Sequence, residues 1–132
     1  FGGQRYHNLF VDTDFIQKFC EETGMRVCLD ASHSKLACTH LNASFSAFLK
    51  AILPFTAHLH LADAKGVDGE GLQIHDGEID WVQLFALMDQ LSPTASFIPE
   101  IWQGHKNNGE GAWLALERLE SCVDSNKQQQ VA

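Results

Sequence analysis

Apolar positions follow two rhythms along this chain. Phe15, Ile16, Phe19 and Cys20 fall on one face of a helix that Asp12 or Thr13 can cap and Gly24 ends. Phe45, Phe48, Leu49 and Ile52 predict a second helix, entered near Asn42 or Ser44 and stopped by Pro54. Trp81, Leu84, Phe85, Met88 and Leu91 make the clearest helical stripe, opened by the acids of Glu78-Ile-Asp80 and closed by Ser92-Pro93. A last helix is expected from about Glu110 to Cys122 through Trp113, Leu114, Leu116 and Leu119. Between them lie short apolar runs: Met25 to Leu29, Thr56 to Ala62, and Ser96 to Ile101. These read as buried strands. Polar loops are expected over residues 1–11, Ser32 to Thr39, the Gly-rich Lys65 to Gly77, and Gln103 to Gly111. Residues 124–132 read as a flexible tail.

Short strands alternating with helices predict an α/β fold with a parallel sheet. The three strands end at Asp30, His60 and Glu100. A (β/α)8 barrel of ~250 residues uses about 31 per unit, so 132 residues hold about four units and a closed barrel does not fit. The expectation is about three βα units of such a barrel over residues 1–123. The chain opens on Phe1-Gly2-Gly3 without an initiator methionine, so an excised piece of a longer chain is expected.

Composition narrows the classes. With 45% apolar residues the chain can bury a core, and its formal charge of −8 without a basic stripe disfavours nucleic acid and anionic membranes. No apolar run approaches the ~18 residues of a membrane span. Cys20, Cys28, Cys38 and Cys122 show no CxxC spacing. Cys20 and Cys28 sit in apolar stretches and are expected as buried free thiols, in a cytoplasmic setting.

Chemistry enters at the strand ends. Alternation puts His58 and His60 on one face of their strand and Leu59 and Leu61 on the other. Asp30, His33, His60 and Glu100 form a mixed carboxylate–imidazole set suited to Zn2+, Mn2+, Fe2+ or Co2+ rather than a structural thiolate zinc site. Each also has a plain reading: Asp30 as a helix cap, His33 as a solvated loop residue, and His58 as a partnered strand histidine. Glu100, between Ile98 and Ile101, fits a buried structural role poorly, because buried glutamate needs a partner. Asp63 and Lys65 either contact substrate or pair across their loop, and His105 either lines a pocket rim or stands in solvent. Asp68, Glu70, His75 and Asp76 read as a solvated loop surface. His7 and His40 carry no signal.

Taken in order, Asp30-Ala-Ser-His33, His60-Leu-Ala-Asp63-Ala-Lys65-Gly66, Gly71-Leu-Gln-Ile-His-Asp-Gly77-Glu-Ile-Asp80 and Pro99-Glu100-Ile101 resemble the last strands of xylose-isomerase-like TIM barrels. That superfamily holds sugar isomerases, epimerases and endonuclease IV-type enzymes. The chain is most similar to the isomerase/epimerase-like domain at the C-terminal end of some bacterial sialic-acid-synthase-type proteins. The resemblance implies the C-terminal part of the barrel and one divalent metal (Mn2+, Zn2+, Co2+ or Mg2+). Asp30, His60 and Glu100 are then ligands, and His33 a further ligand or a substrate contact. Glu100 also exchanges a substrate proton, and His58 stands beside His60 in the barrel wall. His58, Asp63, Lys65 and His105 become substrate-side residues. The implied substrate is a sugar or sugar phosphate, with proton transfer next to a carbonyl. A further glutamate usual in the family would lie before Phe1. Two alternatives stand beside this: a non-catalytic domain that keeps the pocket and is associated with a sialic-acid-synthase-type protein, and an endonuclease IV-like phosphodiesterase, which needs extra ligands near Gly69 and Gly71. Open barrel strands also imply self-association, or pairing with the remainder of a barrel.

Overall fold

The computed structural model describes the backbone over residues 11–130 and the side chains over residues 11–123. The expected entry loop, with His7, and the side chains of the expected tail lie outside the described residues. Among the described residues, five α-helices and five strands follow one another in this order: α1 Thr13–Thr23, β1 Val27–Asp30, α2 Ala31–His40, α3 Phe45–Ile52, β2 Thr56–Leu61, β3 Asp63–Lys65, β4 Gly69–Leu72, α4 Trp81–Leu91, β5 Ser96–Pro99 and α5 Lys106–Gln130. Strands β1, β2 and β5 form a parallel sheet in that spatial order, and β3 and β4 form a separate antiparallel hairpin. This is the α/β arrangement expected, an open arc of a βα barrel.

Caps set the helix starts. Asp12, Ser44 and Asp80 each accept from the backbone N–H three residues on, as N-cap side chains do. Gly24 ends α1 at φ 71°, a left-handed conformation that suits glycine. Pro54 converts the end of α3 into a 3₁₀ turn, Leu53–Phe55, as its missing N–H requires.

The sheet has two unlike faces. Leu29, Leu59 and Leu61 are buried against Leu49, Ile52, Leu53, Trp81, Leu84, Ala115 and Leu119 from the helices. Burial of each large side chain contributes roughly 1.5–3 kcal/mol, so this side holds the fold together. The opposite face carries Cys28, His58 and Ser96 in one row across the strands, and Asp30, His60 and Ile98 in the next. Cys28 and Ser96 are exposed and Ile98 is 46% exposed, while Asp30, His58 and His60 are half-buried, so this face is open over much of its area.

Several expectations need correction. Residues 32–39 form a helix, not a loop. Asp30 caps it by accepting from the His33 N–H at 2.8 Å, and Ala31, Ser32, Ser34, Leu36 and Cys38 are buried along it. Its polar residues hide the helix in a hydrophobic pattern, because tertiary partners satisfy them: the Ser32 hydroxyl donates to Asp63 O and accepts from Gly71 N. The Gly-rich stretch contains the β3–β4 hairpin, its turn entered through Gly66 at φ 65°. Cys28 is an exposed thiol rather than a buried one, since its face of the sheet is open; all four cysteines are free. Phe15, Phe19 and Met25 are exposed, and on α5 only Ala115, Leu119 and Cys122 are buried while Trp113 is 68% exposed. Regular α5 geometry starts after a left-handed interruption at Asn107, Asn108 and Gly109, close to the expected Glu110, and runs to Gln130 rather than Cys122.

Candidate metal centre

The parallel register builds the site. Pairing of β1 with β2 sets Asp30 beside His60, and pairing of β2 with β5 sets Leu61 beside Pro99. One further bond, Glu100 N–H to Leu61 O at 2.9 Å, carries the pairing past the end of β5 and brings Glu100 to the same edge. Three strand ends therefore deliver their side chains together, at the carboxyl end of the sheet where α/β folds place chemistry. Asp30, His60 and Glu100 each offer a ligand atom, and these atoms lie within 4.8 Å of one another.

The closest contact in the cluster is His60 Nδ1 to Glu100 Oε2, at 2.6 Å. The Glu100 side chain is 56% exposed, because it projects beyond the last residue of an edge strand. Asp30 is more enclosed. Burial pushes its carboxyl above the usual aspartate range, and the nearby Glu100 charge pushes the same way. The His33 N–H bond and the His33 and His60 rings pull it back only in part. Two carboxylates and an imidazole form an oxygen and nitrogen set that suits a borderline divalent cation. Such a cation offsets the like charges of Asp30 and Glu100, so the residues present fit a metal.

The other expected site residues divide. His33 stands in the first turn of α2, with Nε2 at 3.9 Å from Asp30 Oδ2, adjacent to the cluster but not within it. His58 pairs through Nδ1 with Ser96 Oγ at 2.8 Å and packs edge-on against His60, ring centroids 5.5 Å apart. It borders the site from the open face. Asp63 does not face substrate: it is fully buried, and its two oxygens accept from four donors. Lys65 and His105 are exposed, and neither belongs to the cluster. Asp68, His75 and Asp76 are exposed as expected.

Two residues escaped the sequence reading. Ser96 is the register partner of His58, which only strand order reveals. Glu70 is half-buried on the hairpin, 3.7 Å from His33 Nδ1, not solvated. The Asp68-Gly69 pair was the available signal, since such dipeptides mark tight turns. A separate cleft of about 460 Å³, lined by Asp12, Cys38, Leu41 and Phe48 among others, shares no residue with the cluster.

Among the described residues no helix is long and apolar enough to cross a membrane. Residues 3–122 match the family model described as xylose isomerase-like TIM barrel. No curated protein matches the chain.

Proposed function

The chain belongs to the xylose isomerase-like TIM barrel family, and we propose that Asp30, His60 and Glu100 bind one divalent cation (Mn2+, Zn2+, Co2+ or Mg2+) for isomerisation or epimerisation of a sugar or sugar phosphate. The observation that carries this reading is the convergence of three ligand-bearing strand ends within 4.8 Å. A cation there supplies Lewis-acid polarisation of substrate oxygens. Glu100 is the residue to move a proton at the carbon beside the carbonyl: it is the most exposed of the three and reaches past the sheet edge. His60, 2.6 Å from it, holds its orientation. Asp30, anchored as the cap of α2, keeps its second oxygen for the ion.

Elemental analysis of the purified chain, beside a His60→Ala/Glu100→Ala variant, tests the reading. Near-stoichiometric metal in the wild type and none in the variant is the expected result. Metal retained by the variant would place the ion elsewhere and defeat the assignment.

We further propose that the 132-residue chain self-associates through the unpaired edges of its open sheet. Strands β1 and β5 each have one edge unpaired among the described strands, and unpaired edges template further pairing. Sedimentation velocity is expected to show species larger than a monomer, and a single monomeric boundary across concentrations would rule this out.

A further inference from the structure

The segment that delivers Glu100 carries one more side chain past the edge of the sheet. Glu100 N–H donates to Leu61 O at 2.9 Å, and two residues on Trp102 N–H donates to Gly71 O at 2.8 Å. Ile101 between them packs against the core. Donors that recur every second residue, with an apolar residue turned inward between them, belong to extended backbone, where residues two apart share a face. Trp102 therefore stands on the face of Glu100, with the two Cα atoms roughly 6–7 Å apart at about 3.3 Å per residue. The chain then turns away: Gln103 is left-handed at φ 57°, and Gly104 N–H closes the turn on Ile101 O at 2.8 Å.

Trp102 is 73% exposed, the most open of the large apolar side chains among the described residues. A single apolar residue at a surface is ordinary. This one differs in that its backbone is fixed while most of its ring lies outside the core. Gly71, at φ 64°, comes so close that a Cβ added there would meet Trp102 Cβ at 3.3 Å and Trp102 N at 3.4 Å. The hairpin thus holds the base of the side chain beside the carboxyl ends of the strands.

We propose that Trp102 is a wall of the substrate site, against which the C–H face of a sugar packs; the proposal rests on the sugar isomerase or epimerase reading given above. The hydroxyls of a sugar are taken up by water and by the polar groups of the centre. Its C–H bonds form an apolar strip that carboxylates and imidazoles do not match. An indole face does match it: the ring is large and flat, and its negative π face attracts C–H hydrogens and repels a phosphate. The group against Trp102 is therefore the neutral carbon chain, within one sugar width of Glu100.

Proton NMR of sugars titrated into the full chain, with the diamagnetic Mg2+ present, tests this. The probes are D-fructose, D-glucose, D-xylose and the terminal phosphate of each. At least one is expected to bind, its C–H resonances moved upfield by the indole ring current. Trp102→Ala is expected to abolish that shift and to weaken affinity about 10-fold, the scale of one aromatic contact. Trp102→Phe is expected to keep an upfield shift, because a smaller ring still faces the sugar. Trp113→Ala removes another exposed indole, 68% open, and is expected to bind as the wild type does. An unchanged shift and affinity in Trp102→Ala, or an equal loss in Trp113→Ala, overturns the proposal and leaves the sugar reading standing. A wild type that binds none of the probes defeats the sugar reading itself, and the wall role with it.

Discussion

Asp63→Ala is expected to remove most of the stability of this chain. The side chain is fully buried, and each oxygen accepts twice: Oδ1 from Ala64 N at 2.8 Å and Ile79 N at 3.0 Å, Oδ2 from His75 N at 3.0 Å and Trp81 Nε1 at 2.9 Å. These bonds tie the β3 strand to the loop before α4 and to the first residue of that helix. The space is closed as well: a Cβ added at Gly77 would meet Asp63 Oδ1 at 2.3 Å. Alanine strands four donors at a position that is fully buried. At about 1–3 kcal/mol for each stranded group, the loss is roughly 4 kcal/mol or more, against about 5–15 kcal/mol for a typical domain. Asp63→Asn turns one accepting oxygen into an amide that faces two donors, so a smaller loss is expected. Urea unfolding followed by tryptophan fluorescence measures both. A midpoint no lower than that of the exposed control Asp68→Asn would show that the carboxylate is dispensable.

Asp30→Asn separates the two tasks of that residue. Asparagine caps helices about as well as aspartate, so α2 keeps its bond from the His33 N–H. As a metal ligand the neutral amide is poor, and affinity is expected to fall by at least about 100-fold, beyond what loss of an outer-sphere partner costs. Stability without metal moves the other way. Burial raises the Asp30 pKa in the folded chain above its unfolded value of about 4. Its contribution is therefore fully present below that pH and is lost as pH rises through the raised folded value. Metal-free Asp30→Asn is then at least as stable as the wild type at pH 7. Saturating cation reverses that order, because it binds the wild-type site far more tightly and stabilises by mass action. Urea midpoints at pH 7 with and without Mn2+ check both signs. A metal-free Asn variant clearly less stable than the wild type would show that the ionised carboxylate stabilises the fold unaided.

The hydrophobic rhythm was enough to locate α1, α3 and α4, because their starts and stops rest on local chemistry: Asp12, Ser44 and Asp80 as caps, Gly24 and Pro54 as stops. It was also enough to divide β2 into a leucine face and a histidine face, since alternation along a strand is a property of the backbone itself. The α/β class and the convergence of Asp30, His60 and Glu100 followed from strands that end on those residues. What the pattern could not carry was burial decided by distant partners. Helix α2 is polar in sequence and buried in fact because Ser32 is satisfied by β3 and by the start of Gly71, which only the folded hairpin brings within reach. Asp63 read as either a substrate contact or a partner across its loop and is a buried anchor, since its four donors include three from residues 12 to 18 positions away. Cys28 was expected to be buried and is exposed, because strand order, not strand composition, decides which face meets solvent. The sequence by itself thus determined which side chains stand at the strand ends, through local backbone geometry. The tertiary structure decided which of them are shared with the fold and which are left for chemistry, because burial and hydrogen-bond satisfaction are set by residues far apart in the chain.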